Sequence, residues 1–271
     1  MDELVVHLAR RYSAGAESYQ KYWLPVLRPM AEYLLDLLPL AEHRWILDVG
    51  AGPGSLLPAI KQRNRSVQII AIDTSNGMLA IAPPFSNVQY SRMDARRIAL
   101  RPNSIDLVIL SFVLFHYPDI TAGLQELMRV LRPGGAIGSA VFHTSPNFEA
   151  QQIWNEALNE WSEKAGVGVL DLDAVDNTAA TNRAEKSRAL FSSAGYTEIK
   201  TSEKRYAYQW EPEAYLAFRS GFGSSGAKFC SLPAESQVRL TSSVREIYSK
   251  LPARSFRYEP VILYTNAKKP A

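Results

Sequence analysis

Several features of common protein classes are scarce or missing in this 271-residue sequence. A single cysteine, Cys230, excludes intrachain disulfides and cysteine-based zinc sites. No apolar run approaches the ~20 residues that a membrane span requires. The formal net charge is only +3, and the basic residues are scattered rather than gathered in a stripe. We therefore expect neither a nucleic-acid partner nor a membrane partner.

The first residues also lack an apolar signal core and include the acidic Asp2 and Glu3. Together with the single cysteine, this pattern favours a cytoplasmic protein. Internal repeats and low-complexity tracts are missing as well. The length suits one α/β domain over residues 1–271, and the sequence leaves the oligomeric state unknown.

A glycine-rich loop is the most informative feature that the sequence does contain. Residues 45–47 are apolar and indicate a buried strand, the segment Asp48-Val49-Gly50-Ala51-Gly52-Pro53-Gly54 follows, and residues 55–57 begin a predicted helix. Glycines at a strand–helix turn let a ligand approach bare backbone beside the helix N-terminus. The dinucleotide fingerprint G-x-G-x-x-G is not met, because the third glycine comes one residue early. A plain tight turn is the alternative interpretation.

Further motifs stand at the ends of the next predicted strands. The apolar run 67–72 ends in Asp73, whose carboxylate suits two hydrogen bonds from a ribose diol. The run 88–92 leads to Asp94, and the run 105–110 leads to Ser111. An L-x-E-x-x-R-V-L-R-P-G-G stretch at 124–135 predicts a helix that Pro and Gly end, with a fifth strand at 136–142.

These motifs resemble those of the class I S-adenosylmethionine (SAM) methyltransferases, and in particular of the small-molecule, type 11 (UbiE-like) members. The G-x-G-x-G loop after Asp48 resembles their motif I, and the segment 73–79 resembles their D-x-S-x-x-M-L segment. The resemblance is dense over residues 45–143, the predicted SAM-binding core, and loose elsewhere. It implies an α/β, doubly wound, Rossmann-like fold with a seven-stranded sheet, and SAM as the cofactor.

The resemblance also implies which positions bind SAM. They are Tyr12, Tyr19, Asp48, Gly50, Ala51, Gly52, Asp73, Thr74, Met78, Asp94, Ala95 and Ser111. Met78 is expected against the adenine face, where helix packing is the alternative, and Asp94 at the adenine amino group, where a solvated turn is the alternative. Residues 11–19 resemble a lid in which an aromatic side chain closes over the cofactor, although Tyr12 and Tyr19 could equally be packing residues. No cluster has metal-ligand spacing, so no metal is predicted.

Three segments extend beyond the minimal fold. Residues 1–40 are predicted to form N-terminal lid helices, and residues 144–182 and 211–255 are predicted to be helical cap insertions. Trp154, Leu158 and Trp161 share one helix face in the first insertion. The second carries several aromatic residues, a turn-rich stretch at 221–226 and a helix at 236–251, between predicted strands at 198–210 and 259–265. An aromatic cap over the carboxyl ends of the strands favours a small, fairly apolar acceptor molecule.

Two histidines are candidates for a catalytic base. His116 follows the fourth strand and His143 ends the fifth, so both are expected to face the acceptor cavity. Imidazole titrates near neutrality, which suits a group that takes a proton from the acceptor. For each histidine, a packing role in the cavity wall is the alternative.

Other activities of SAM-binding folds fit the sequence less well. The D/N-P-P-Y/F motif of adenine-N6 and glutamine methyltransferases is missing after the fourth strand, and Cys230 follows Phe229 rather than a proline. The predicted function is therefore SAM-dependent methyl transfer to oxygen, nitrogen or carbon of a small metabolite, driven mainly by positioning. A SAM-binding protein that catalyses cyclisation, decarboxylation or a pericyclic reaction remains an alternative, as does a non-catalytic SAM-binding partner.

Overall fold

The computed structural model describes residues 3–167 and 176–271. Seven strands of this described part form one mixed sheet in the order β3-β2-β1-β4-β5-β9-β6. The strands are β1 (Trp45–Val49), β2 (Gln68–Asp73), β3 (Val88–Arg92), β4 (Ile105–Ser111), β5 (Leu131–Thr144), β6 (Thr197–Arg205), β7 (Tyr208–Gln209), β8 (Arg257–Tyr258) and β9 (Val261–Lys268). Strands β1 to β5 pair in parallel, whereas β9 runs antiparallel to β5 and β6. The predicted doubly wound, Rossmann-like fold is confirmed.

Helices connect the strands and build the segments outside the sheet. In chain order they are α1 (Glu3–Ala14), α2 (Ala16–Ser18), α3 (Leu24–Asp36), α4 (Leu57–Arg63), α5 (Asn76–Ala80), α6 (Ile120–Val130), α7 (Glu149–Lys164), α8 (Thr178–Thr181), α9 (Ala184–Ser193), α10 (Pro212–Gly221), α11 (Gly223–Cys230) and α12 (Ala234–Tyr248). A π-helical turn at Tyr19–Trp23 joins α2 to α3. No helix in the described residues is both long and apolar enough to cross a bilayer.

The register of the central strands brings the predicted site residues together. Val49 of β1 lies opposite Ile72 of β2 on one side and Leu110 of β4 on the other. These central strands are almost wholly apolar, as strands covered on both faces should be. Because the strands are parallel, their carboxyl ends meet at one edge of the sheet, and the loops that follow them share that edge.

Several predicted boundaries differ from the observed ones for identifiable reasons. β9 begins at Val261 rather than at residue 259, since Pro260 has no N–H to donate to the ladder. The predicted strand 198–210 divides into β6 and β7, and β7 leaves the main sheet to pair with β8. β5 begins at Leu131 rather than at residue 136, although its register with β4 is irregular over the first residues.

The prediction of a turn-rich stretch at 221–226 is wrong for most of its length. Only Phe222, in an extended conformation, separates α10 from α11, which starts at Gly223. A Cβ atom on Gly226 would lie 2.8 Å from the backbone carbon of Gly221. The glycines therefore serve a close crossing of two helices rather than an open turn.

The two insertions pack together as one helical cap. The indole of Trp154 in α7 is fully buried and donates to Oγ of Ser225 in α11 at 2.7 Å. The hydroxyl of Tyr248 in α12 donates to the carbonyl of Ala150 at 2.6 Å. Of the predicted cap segment 144–182, residues 168–175 lie outside the described residues.

Candidate active site

The glycine loop has the backbone geometry that a close ligand approach requires. Gly50 has a φ of +68° and its N–H donates to the carbonyl of Ile72 at 2.8 Å. A Cβ atom there would lie 2.4 Å from a methyl carbon of Val113. Gly52 has a φ of +55°, yet a Cβ atom on it would meet nothing within 4 Å. The space beside Gly52 is therefore open, and a side chain would project into it.

A cleft opens at this edge of the sheet, between the strand ends and the N-terminal helix. The empty space inside it is about 810 Å³, a volume that includes open solvent at its mouth. The predicted site residues that line it are Tyr12, Tyr19, Gly50, Gly52, Asp73, Thr74, Met78, Asp94, Ala95, Ser111 and His116. The fold thus gathers into one cavity side chains from the N-terminal helices and from four separate strand ends.

The two remaining predicted cofactor residues, Asp48 and Ala51, line a smaller adjoining pocket. Tyr19, Gly50, Ser111 and Phe112 line both cavities, so the two adjoin around the glycine loop. The guanidinium-bearing Arg28 of α3 is at the rim of the small pocket and is exposed. This end of the site therefore offers both a carboxylate and a cation.

The carboxylate of Asp73 is held in place by backbone N–H groups. Its Oδ2 accepts the N–H of Gly52 at 2.9 Å, and its Oδ1 accepts the N–H of Ser75 at 2.8 Å. Burial raises the pKa of this carboxyl above its ordinary value, while backbone hydrogen bonds from Ser75, Gly52 and Thr74 oppose that rise. A buried carboxylate in a fixed orientation is suited to accept two further hydrogen bonds from a diol.

Asp48 is a second buried acid of the site, and its pKa is strongly raised. It is only 2% exposed, and burial, with a smaller contribution from the nearby negative charge of Asp73, raises its pKa to about 7. Such a group gains most from a positively charged neighbour, because a cation would favour its ionised form. The pocket around Asp48 is thus complementary to an ammonium or sulfonium group.

The raised pKa of Asp48 should make the free energy of unfolding depend on pH. An acid whose pKa is raised on folding stabilises the folded state in acid, and that contribution is lost as the pH rises from the unfolded to the folded pKa. We expect Asp48→Asn to gain stability over the wild type as the pH rises from about 4 to about 7, by at most about 4 kcal/mol.

Denaturant unfolding of both proteins across this pH range, without cofactor, measures the difference. Taking the difference cancels the titrations that the two proteins share. A difference in unfolding free energy that stays constant between pH 4 and pH 8 would show that Asp48 titrates normally.

Asp94 lines the cleft and is also paired with Arg96 of the same chain. Its Oδ2 accepts Nη2 of Arg96 at 2.8 Å, and its Oδ1 accepts the backbone N–H of Arg96 at 3.0 Å. Burial alone would raise the pKa of Asp94, but the bonds from Arg96 outweigh that effect and hold it below its ordinary value. The carboxylate is therefore ionised and fixed, and remains able to accept from a ligand amino group.

A tyrosine of the N-terminal helix meets a core histidine across the cleft. The hydroxyl of Tyr12 lies 2.8 Å from Nε2 of His116, 104 residues away along the chain. Burial raises the pKa of Tyr12 above its ordinary value, so the phenol keeps its proton. The Phe222 ring of the cap packs against Tyr12 and Tyr19 with centroids 5.5 and 5.2 Å apart. The N-terminal helix α1, the core and the helices of the second insertion therefore meet at this pair.

Aromatic rings form the wall next to the pair. Trp23, in the last position of the π-helical turn, stacks on Phe218 of the cap with centroids 5.0 Å apart. Phe142 of β5 lies 5.0 Å from Phe112, which follows β4 with a φ of +56°. A positive φ is uncommon for a bulky residue and marks strain that surrounding structure must support. Of these rings Phe112 lines the cleft beside His116, and the others pack behind it as an apolar wall.

The structure places His143 away from this cavity. Its Nδ1 lies 2.7 Å from the carbonyl oxygen of Asn182 and 3.8 Å from Oε1 of Glu203, and it is not part of the cleft lining. The neighbouring Phe142 faces the aromatic wall, and successive side chains of a strand point to opposite faces. The prediction that both histidines face the acceptor cavity is therefore wrong for His143.

Sequence reasoning missed part of the lining. Additional cleft residues are Val5, Leu8, Val49, Ile72, Met93, Arg96, Phe112, Val113, Tyr117 and Pro118. Most of them are apolar residues whose type also suits an ordinary core position, so the sequence carried no separate signal for them. Val5 and Leu8 could have been found, because they precede Tyr12 by seven and four residues and so share its helix face.

A mixed seven-stranded sheet with this glycine loop, and with acidic residues at the ends of its strands, is typical of class I SAM-dependent methyltransferases. The methyltransferase domain family matches residues 47–138. An uncharacterized methyltransferase of Schizosaccharomyces pombe is 30% identical over 224 residues, which cover 82% of this chain and 81% of the relative. The chain belongs to the SAM-dependent methyltransferase family.

Other similar proteins carry more specific names. The malonyl-[acyl-carrier protein] O-methyltransferase of Marinomonas sp. is 32% identical over 151 residues, which cover 54% of this chain and 56% of the relative. Among solved structures, phosphoethanolamine N-methyltransferase 2 of Haemonchus contortus, in complex with SAM, has a TM-score of 0.59 at 16% identity, covering 100% of this chain and 61% of that chain. YcgJ of Bacillus subtilis has a TM-score of 0.55 at 17% identity, covering 88% of this chain and 98% of that chain. The structural matches show the shared fold.

Proposed function

We propose that this chain transfers a methyl group from SAM to a small, fairly apolar metabolite at oxygen, nitrogen or an activated carbon. One observation carries the proposal: the Tyr12–His116 pair stands where the acidic cofactor cleft meets an aromatic wall. The names of the relatives support methyl transfer as the reaction, and one of them acts on a malonyl group. A single domain over residues 1–271, a cytoplasmic location and the lack of a nucleic-acid partner belong to the same proposal.

The residues present fit SAM. The open space beside Gly52 accommodates a ligand against backbone, and the buried carboxyls of Asp48 and Asp73 suit a ligand with positive charge and a ribose diol. When bound, SAM supplies a methyl group on a sulfonium, which is already an activated electrophile. The chain itself then has to hold the acceptor in line and keep water out.

The proposed contacts assign each end of the cofactor to residues of this chain. Asp73 accepts the ribose hydroxyls, while Met78 covers the adenine face and Asp94 accepts from the adenine amino group. Asp48 is assigned to the ammonium of the methionine part, and Arg28 at the rim of the same pocket to its carboxylate. Thr74, Ala95, Ala51, Ser111 and Tyr19 complete the walls.

For an acceptor whose proton is tightly held, His116 is the proposed base. The hydroxyl of Tyr12 is hydrogen-bonded to Nε2 of His116 and so stands between that nitrogen and the acceptor. The acceptor proton therefore moves to the phenol oxygen of Tyr12, while the phenol proton moves to Nε2 of His116. The pair ends with a neutral tyrosine and a protonated imidazole, which loses its proton to solvent when the site opens. Phe112, Phe142 and Trp23 keep the acceptor apart from water meanwhile.

Methyl-labelled SAM and a fractionated metabolite extract test the proposal. The wild-type protein should add one labelled methyl group to a small molecule, detected by product mass. The matched control is Gly52→Val, whose side chain would fill the open space beside the loop and abolish the product. A SAM-derived product without methyl transfer would contradict the proposal and favour the non-methyl-transfer alternative.

A further inference from the structure

The C-terminal end of α1 is hydrogen-bonded to the start of α5. Ser13 Oγ accepts the backbone N–H of Gly77 at 3.1 Å and lies 2.8 Å from Oγ of Ser75. Ser75 is only 1% exposed, and its hydroxyl also accepts the N–H of Met78, as an N-cap does. The lid serine thus takes part in capping a core helix from another segment of the chain.

This approach is possible only because residue 77 has no side chain. A Cβ atom on Gly77 would lie 2.6 Å from Cα and 2.7 Å from the carbonyl oxygen of Ser13. Both are backbone atoms, which cannot rotate away as a side-chain end would. Any larger residue at position 77 must therefore push α1 off the core.

The same contact is linked to the proposed ribose site. Ser75 donates its backbone N–H to Oδ1 of Asp73 at 2.8 Å, while its hydroxyl meets Ser13. Leu8 and Val5, five and eight residues before Ser13 on the same helix, line the cleft. Hence the position of α1 over the cleft and the orientation of the Asp73 carboxylate depend on one short network.

We infer that Ser13 and Gly77 form a clasp that holds α1 closed over the adenosine end of the cleft and slows the release of SAM. Both are positioning residues, since they act through the wall that α1 provides and through Ser75. The inference rests on the proposed cofactor site, because it concerns the exchange of SAM at that site. The clasp is open when α1 swings away from α5, and closed in the arrangement described above.

Dissociation of radiolabelled SAM, chased with excess unlabelled SAM, tests the clasp. We expect Gly77→Ala to raise the dissociation rate by about tenfold or more, with little change in the association rate. Ser13→Ala removes the hydroxyl without a steric clash and should raise it by roughly 3- to 10-fold. Asn76→Ala, an exposed change on the same helix, is the matched control and should leave both rates unaltered.

Two further measurements separate a clasp from general damage. Alanine is the better helix former, so Gly77→Ala should leave α5 itself intact, and circular dichroism of the cofactor-free variant should show a folded protein. If the two residues act as one unit, adding Ser13→Ala to Gly77→Ala should change the dissociation rate little further. If the Gly77→Ala protein does not fold, the SAM dissociation rate of Ser13→Ala tests the clasp by itself.

The outcomes are distinct. Wild-type rates of SAM release in both Gly77→Ala and Ser13→Ala would overturn the clasp and leave the proposed cofactor site standing. If the effects of the two substitutions on the SAM dissociation rate are fully additive, Ser13 and Gly77 do not act together, and the clasp is contradicted. A wild-type chain that binds no SAM would overturn the proposed cofactor site, and the clasp with it.

Discussion

Asp73→Ala should weaken SAM binding by roughly 2–4 kcal/mol, because it removes a charged acceptor from two ribose hydroxyls. This corresponds to a dissociation constant about 30- to 700-fold larger. The loss is expected to be large because the carboxylate is already buried and oriented by the backbone N–H groups of Gly52 and Ser75. Little reorganisation is then needed when the ligand binds.

Isothermal titration calorimetry with SAM measures the effect. Asp36→Ala is the matched control, since it removes one carboxylate from an exposed surface pair with Arg63 and should leave the affinity unchanged. Circular dichroism must show a folded Asp73→Ala protein, because the change also frees two backbone donors. Unaltered affinity in a folded variant would show that Asp73 does not bind the ribose.

His116→Ala should lower kcat by about 10²- to 10⁴-fold for an acceptor whose proton must be removed. SAM affinity should change little, because the proposed cofactor contacts lie on other residues. Tyr12→Phe breaks the same hydrogen bond while keeping the ring and should also lower kcat. In the wild type, kcat should fall in mildly acidic solution, where histidine side chains take up a proton and can no longer accept one.

His143→Ala is the control for this experiment. Its imidazole is held by the carbonyl of Asn182 outside the cleft, so its loss should leave kcat within a few-fold of the wild type. Single-turnover methyl transfer, with the acceptor identified by labelled SAM, measures both variants. Equal small losses in His116→Ala and His143→Ala would mean that positioning and water exclusion alone drive the reaction.

For His116 and His143 the sequence predicts the position along the chain but not the direction of the side chain. Spacing alone located both of them correctly at the carboxyl ends of β4 and β5. It could not decide which face each side chain takes, because β5 has an irregular register with β9 between Phe142 and Thr144. One residue of displacement exchanges the two faces of a strand, so the distinction between His116 and His143 needed the folded chain.

The cap shows a similar limit. Trp154 and Leu158, four residues apart in α7, were predicted from spacing to share one helix face, and both are buried. Gly221 and Gly226 were predicted to form a turn, since glycines usually punctuate elements. Only the close crossing of α10 and α11 explains why glycine is needed there.

The sequence by itself determined the succession of the first five strands along the chain, the glycine loop and the acidic residues at the strand tips. These features follow from local spacing: an apolar run ends, and the next polar residue must lie at the carboxyl edge of a parallel sheet. Only the tertiary structure decided the Tyr12–His116 pair, the strained Phe112 and the contact of Ser13 with Gly77. Each of these features depends on contacts between residues that are far apart in the chain. Only the packing of the N-terminal helix, the sheet and the inserted helices around one core brings those residues together.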